Sequence, residues 1–284
     1  MAMTNTQPAP AWQLMAESTS ETSAPPASNG ALRIAASKVP EVALGFWIIK
    51  IAATTMGETG GDALSMSLNL GYAVSTIIFF ALFAVTVALQ IRAKKFHPYL
   101  YWLVIVATTL AGTTMADFSD RSLGFGYPGG ASLLFALVIA TLLAWRFTTG
   151  SVSVNNITSP KVEAFYWATI LFSNTLGTAL GDWVADSGPG FEGGALIFAG
   201  AIAIVASLYF FTKISRTVLF WTAFILTRPL GATLGDTLTK PLAEHGLNLS
   251  RYTSTAVIAA FMIVCILLFP QRAGDHPGAE KAAE

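Results

Sequence analysis

Four stretches of this chain align with one another without a gap: WIIKIAATTMGETGGD (47–62), WLVIVATTLAGTTMAD (102–117), WATILFSNTLGTALGD (167–182) and WTAFILTRPLGATLGD (221–236). All obey W-x9-G-x3-[GA]-D, and this register takes four of the seven tryptophans and four of the seven aspartates in the sequence. A chain that repeats itself in this way folds as copies of one unit, each covering a face that its neighbour cannot bury alone. The fold must therefore be one arrangement used four times.

The solvent of that arrangement follows from composition. Hydrophobic residues make up 54% and charged residues 11% of 284, against about 25% charged in a soluble domain, and mean hydropathy is +0.60. Eight apolar segments of about 18 to 21 residues, near the length that crosses a hydrocarbon core of about 30 Å, occupy 42–61, 71–91, 99–116, 130–149, 163–181, 194–212, 217–235 and 253–270. The pattern predicts an all-α, polytopic membrane helix bundle of eight transmembrane helices. Each copy holds a motif-bearing segment, a short loop and a second, plain segment. The repeats span 41–96, 97–158, 159–214 and 215–270. A tail rich in Pro, Ala, Ser and Thr precedes them (1–40, predicted disordered), and a second polar tail follows (271–284).

Because each copy crosses twice, the four are parallel, related about the membrane normal rather than inverted. Arg33, Lys38, Arg92, Lys94, Lys95, Arg146, Lys161, Lys213, Arg216, Arg272 and Lys281 fall on the tails and on every second connection, while the opposite loops hold Arg121, Lys240 and Arg251. The positive-inside rule then makes both termini cytoplasmic. Formal net charge is zero, which gives no reason to expect a nucleic-acid partner. Cys265 is the only cysteine, so no disulfide forms within one chain. The sequence has no H-E-x2-H, no G-x-S-x-G, no G-x4-G-K-[ST] and no histidine within a span, and nothing in it predicts an enzyme.

The four-copy motif resembles a bacterial membrane-protein family known as a tandem repeat of unknown function, with two transmembrane segments and a characteristic tryptophan in each copy. The resemblance covers about residues 40 to 270. It implies a multi-pass protein of the bacterial inner membrane and carries no activity with it.

Function is then left to the residues. Trp47, Trp102, Trp167 and Trp221 share one depth and are expected as interfacial anchors. The small pairs Gly57/Gly61, Gly112/Ala116, Gly177/Gly181 and Gly231/Gly235 predict close packing of the motif helices, since lipid supplies no hydrophobic drive between them. At about 100° per residue, Lys50 shares the stripe of Gly57 and Gly61, and Arg228 that of Gly231 and Gly235, so both cations should point into protein. Charges inside a span are costly and are functional candidates for that reason. Pro229, beside Arg228, predicts an interrupted helix at mid-depth.

Asp62, Asp117, Asp182 and Asp236 lie about 22 Å beyond the tryptophans at 1.5 Å per residue, at one level near the outer face. There they end their helices, where the macrodipole disfavours an anion. With Glu58 four residues before Asp62, they form a candidate site for a hard cation such as Mg²⁺, Ca²⁺ or Mn²⁺, with Lys50 and Arg228 as buried counter-charges. Asp120, Asp186, Glu192, Glu244 and His245 are expected as solvated loop residues. The expected function is secondary transport or export of a small ion, with a divalent metal cation as substrate. The alternatives are a carrier of a small anionic or organic solute, and a scaffold whose motifs only pack helices. The partners are the bilayer and the small ion or solute, and an oligomer is compatible with the chain.

Overall fold

The computed structural model describes residues 38–154, 157, 159–244 and 246–274. Among them the fold is all helical, with eight α-helices of 18 to 27 residues and no strand beyond one isolated antiparallel bridge between Pro40 and Ala273. These are α1 (Leu44–Asp62), α2 (Gly71–Arg92), α3 (Pro98–Asp117), α4 (Gly126–Thr149), α5 (Pro160–Asp186), α6 (Gly190–Phe211), α7 (Arg216–Thr239) and α8 (Arg251–Leu268). Local chemistry sets their ends. Pro98 and Pro160 open α3 and α5, positions whose N–H has no helical partner to lose. Ser159 and Ser250 cap α5 and α8 by accepting the N–H of Val162 and Thr253 at 3.4 Å. The first residue of α2, α4 and α6 is each time a glycine, with φ of 75°, 64° and 69° at Gly71, Gly126 and Gly190. That backbone would strain any side chain.

The helices sort by motif. The motif-bearing α1, α3, α5 and α7 pack in a closed ring, α1 on α3, α3 on α5, α5 on α7 and α7 back on α1. The plain helices lie outside, and each packs on the motif helix of the following repeat: α2 on α3, α4 on α5, α6 on α7 and α8 on α1. Of the apolar stretches in the outer helices only 22 to 28% is buried, against 67% in α3 and 72% in α7.

Six helices, α2, α3, α4, α6, α7 and α8, are apolar and long enough to cross a membrane; α1 and α5 are not. The departure from eight has a physical cause. Both exceptions belong to the inner ring, where Lys50, Glu58 and Asp62 of α1 and Glu163, Asn174 and Asp182 of α5 are all buried in protein. A helix shielded by its neighbours does not need an apolar surface on every side.

Glycines fix the ring spacing. A Cβ built at Gly57 would fall on Thr109, at Gly112 on Asn174 and Thr175, at Gly177 on Arg228, and at Gly231 on Thr54. Each glycine meets the same motif position of the next copy, and the fourth meets the first. One turn further, Gly61 faces Thr113, Gly181 faces Ala232 and Gly235 faces Glu58, while Ala116 is buried. Threonines use the closeness: Thr109 Oγ1 donates to Ala53 O at 3.2 Å and Thr54 Oγ1 to Thr227 O at 3.1 Å.

Of the expected tails, residues 1–37 and 275–284 lie outside the described residues. Where the chain enters and leaves the described unit it is tied down rather than loose. Glu41 N–H donates to Arg272 O at 3.0 Å, Gly274 N–H to Val39 O at 2.8 Å, and Lys38 pairs with buried Glu163 at 2.5 Å.

Candidate functional site

At the tryptophan end, aromatic rings close the inner ring of helices. The residue before each motif tryptophan is also aromatic: Phe46, Tyr101, Tyr166 and Phe220, all buried. Each meets the tryptophan of the next copy, with centroids 5.6 Å apart for Phe46 and Trp102, 5.5 Å for Tyr101 and Trp167, 6.2 Å for Tyr166 and Trp221, and 5.8 Å for Phe220 and Trp47. The hydroxyls of Tyr101 and Tyr166 are 2.7 Å apart. The expectation of interfacial anchors needs correction, because Trp102, Trp167 and Trp221 are at most 5% exposed and pack within the protein. Only Trp47 is partly exposed. Large rings at the closing point of four helices bury more area against each other than they would among headgroups. Trp102 and Trp221 also donate their indole N–H inward, to Gln271 Oε1 and Val152 O, both at 3.0 Å.

Further toward the aspartates, two fully buried cations cross the axis of the ring. Lys50 leaves α1 and reaches the opposite helix, its Nζ 3.4 Å from Asn174 Oδ1 and 4.2 Å from the Phe224 ring centroid on α7. Asn174 in turn donates to Thr108 Oγ1 on α3 at 2.8 Å, so all four inner helices meet around this ammonium. Arg228 leaves α7 and spans to α1 and α3. It donates to Thr54 O at 3.2 Å, Glu58 Oε2 at 3.1 Å, Thr109 O at 3.5 Å and the Thr113 hydroxyl. The expected helix break at Pro229 is absent, and α7 runs unbroken from Arg216 to Thr239. What Gly177 leaves open is room for the Arg228 stem.

The four aspartates are buried, at most 5% exposed, and are held in two pairs by one cation each. Lys240 Nζ lies 3.3 Å from Asp62 and 3.2 Å from Asp236; Arg121 lies 3.0 Å from Asp117 and 3.1 Å from Asp182. Arg251 adds a second contact to Asp62 at 3.5 Å. Arg121 and Lys240 each stand one helical turn past the aspartate of their own repeat, where the other two repeats have Met66 and Asp186. The motif is fourfold and its neutralisation is twofold. Glu58 joins one pair: an oxygen of each of Glu58, Asp62 and Asp236 lies within 4.8 Å of the others. That separation is what three oxygen ligands around one hard cation span.

Several readings of the sequence change here. Two of the four aspartates, Asp62 and Asp117, end their α-helices as expected, although the chain continues into π-helical turns (Ala63–Ser67 and Phe118–Ser122), whereas α5 and α7 run on past theirs to Asp186 and Thr239. Asp117 and Asp236 are each answered by a cation one turn on, and Asp62 and Asp182 by that same cation from the neighbouring repeat. Arg121, Lys240 and Arg251, which sequence reading assigns to outer loops, are the partners it misses; the signal was a base four residues after the motif aspartate in two copies. Asp120, expected in solvent, is buried beside Gly130, while Asp186, Glu192 and Glu244 are exposed. His245 lies outside the described residues.

Against known proteins, the profile of the family described as a Repeat of Unknown Function (DUF347) matches four times, over residues 45–96, 100–151, 165–215 and 219–272. Each match covers all but the first one to five residues of an inner helix, together with the whole outer helix that follows it. No curated protein and no solved structure matches the chain.

Proposed function

This chain belongs to the Repeat of Unknown Function (DUF347) family, and since that description carries no activity, we propose a function from the geometry: a secondary carrier of a small cation. Its transported substrate is a divalent metal ion, and its binding groups are Glu58, Asp62 and Asp236. The observation that carries the reading is the convergence of three buried carboxylates, each offering an oxygen within 4.8 Å of the other two. A hard cation prefers such an all-oxygen set. Lys240 stands in the same place as a resident counter-charge, 3.2 and 3.3 Å from two of the three. Entry of the metal displaces that ammonium and draws Glu58 away from Arg228. Metal and ammonium therefore compete for one set of carboxylates. A carrier needs such a competition, because its site must empty as well as fill.

In this reading all eight helices cross a bacterial inner membrane, with α1 and α5 shielded by the others. Both termini are cytoplasmic, and the aromatic layer seals the cytoplasmic end. Catalysis has no part in it.

The test is uptake of radiolabelled Mn²⁺ into proteoliposomes holding the full chain. Saturable uptake should appear with the native protein and vanish with Asp236→Asn, which removes a charge with little change of shape. A folded Asp62→Asn, Asp236→Asn double variant that moves the ion normally would end the proposal and leave the scaffold reading in its place.

A further inference from the structure

Charges on the axis separate into two levels of opposite sign. At the aspartate level four carboxylates face three cations, Arg121, Lys240 and Arg251. Deeper in the ring one carboxylate, Glu58, faces two, Lys50 and Arg228. In formal charges the deeper level is one positive charge in excess, and the excess has an address. Arg228 holds Glu58 at 3.1 Å. Among the described residues Lys50 makes no ion pair; its ammonium has the Asn174 amide oxygen at 3.4 Å and the face of Phe224.

Donors are in surplus there as well. Lys50 carries three N–H groups for one long hydrogen bond. Arg228 Nε is buried without a hydrogen-bond partner. A buried charge with no counter-charge and buried donors with no acceptor are both heavily penalised, and one small acceptor carrying a single negative charge answers both.

We propose that Lys50 and Arg228 form a binding site for a small monovalent anion, of halide or nitrate type, on the axis of the ring. The preference for a small anion comes from the neighbours already in place, with Asn174 at 3.4 Å and the Phe224 ring centroid at 4.2 Å from the ammonium. The charge limit comes from the excess of one. The site stands independently of metal transport. Only its coupling rests on that reading: when Glu58 turns toward a metal, Arg228 loses its carboxylate and the anion binds more tightly, and by linkage the anion favours the metal in return.

The experiment follows thermal unfolding of the purified full chain in detergent while sodium nitrate replaces sodium gluconate at constant ionic strength. Nitrate should raise Tm saturably and sulfate should not. Lys50→Met, which exchanges the buried charge for an apolar side chain of similar length, should abolish the nitrate response. Glu58→Gln removes the competing carboxylate and should lower the nitrate concentration at half effect by about tenfold. Absence of any nitrate response in the native protein overturns the proposal, as does an undiminished response in Lys50→Met. If Lys50→Met does not fold, Glu58→Gln decides, and an unchanged or weakened nitrate response there overturns it. Loss of Mn²⁺ uptake in Asp236→Asn is read separately, so either idea can fail alone.

Discussion

Replacing Gly231 by alanine tests the ring at its closing seam, between α7 and α1. The new Cβ would stand 2.8 Å from the carbonyl carbon of Thr54, where ordinary contact begins at 3.4 Å, and closer still to the Thr54 hydroxyl. Side chains can rotate aside, but a backbone carbon cannot, so the two helices have to part. Overpacking of this kind costs about 1–3 kcal/mol. Alanine also returns about 1 kcal/mol of helix propensity over glycine, which hides part of the loss. Gly200→Ala on the outer helix α6 removes that ambiguity, because a Cβ there meets nothing within 4 Å. The propensity gain is common to both variants, so the difference between them is the overpacking cost alone. At about 2–4 °C per kcal/mol for a chain of this size, Gly231→Ala should melt about 2 to 12 °C below Gly200→Ala. The assay is far-ultraviolet circular dichroism in one detergent, with tryptophan fluorescence as a second probe. Equal melting of the two variants would refute the argument that this glycine sets the seam.

Other parts of the architecture are open to direct measurement. Single cysteines near Asn69 and Pro189 should react with an impermeant thiol reagent from outside the cell and one near Lys95 should not; the reverse pattern would invert the topology. Tyr101→Phe removes the 2.7 Å contact to Tyr166 and should cost about 0.5–1.5 kcal/mol in chemical unfolding, whereas no change would mean that the hydroxyl pair adds nothing to the aromatic layer. Lys240→Met leaves Asp236 without its cation and Asp62 with Arg251 only. The variant should lose about 3–5 kcal/mol and recover much of it when Mn²⁺ is added, and melting indifferent to the metal would count against a cation site.

The ring was readable in outline because its signals are periodic. A small residue every fourth position, repeated in four copies, states which face of each motif helix meets protein, and the eight segments match the observed helices to within a few residues. The partner of that face was not readable. Nothing in Gly112 says that it meets Asn174 rather than a residue of its own outer helix, since contact order around a ring depends on how the copies are rotated. The aromatic residues at 46, 101, 166 and 220 escaped notice because an aromatic within an apolar run looks like any other lipid-facing side chain. Arg121 and Lys240 were hidden by the positive-inside argument, which treats a base outside the apolar stretch as a loop residue. Arg121 lies in the π-helical turn that continues α3 and Lys240 directly follows the last residue of α7, and their position in the site reflects the fold around them rather than their own neighbours in sequence.

The packing of α8 on α1 has a consequence for how such a protein is made and inherited. The stretch that was copied is an inner helix followed by an outer one, but the pair that packs together is an outer helix and the inner helix of the next copy. The unit of duplication and the unit of assembly are out of phase by half a repeat. During synthesis α1 therefore waits without its outer helix until the last eighteen-residue helix, α8, has emerged, and a chain stopped after three copies is left with an unclosed ring rather than three finished quarters. The same offset makes the point of chain entry arbitrary: with Pro40 and Ala273 already bridged, joining the ends there and opening the chain between any two repeats should return the same ring.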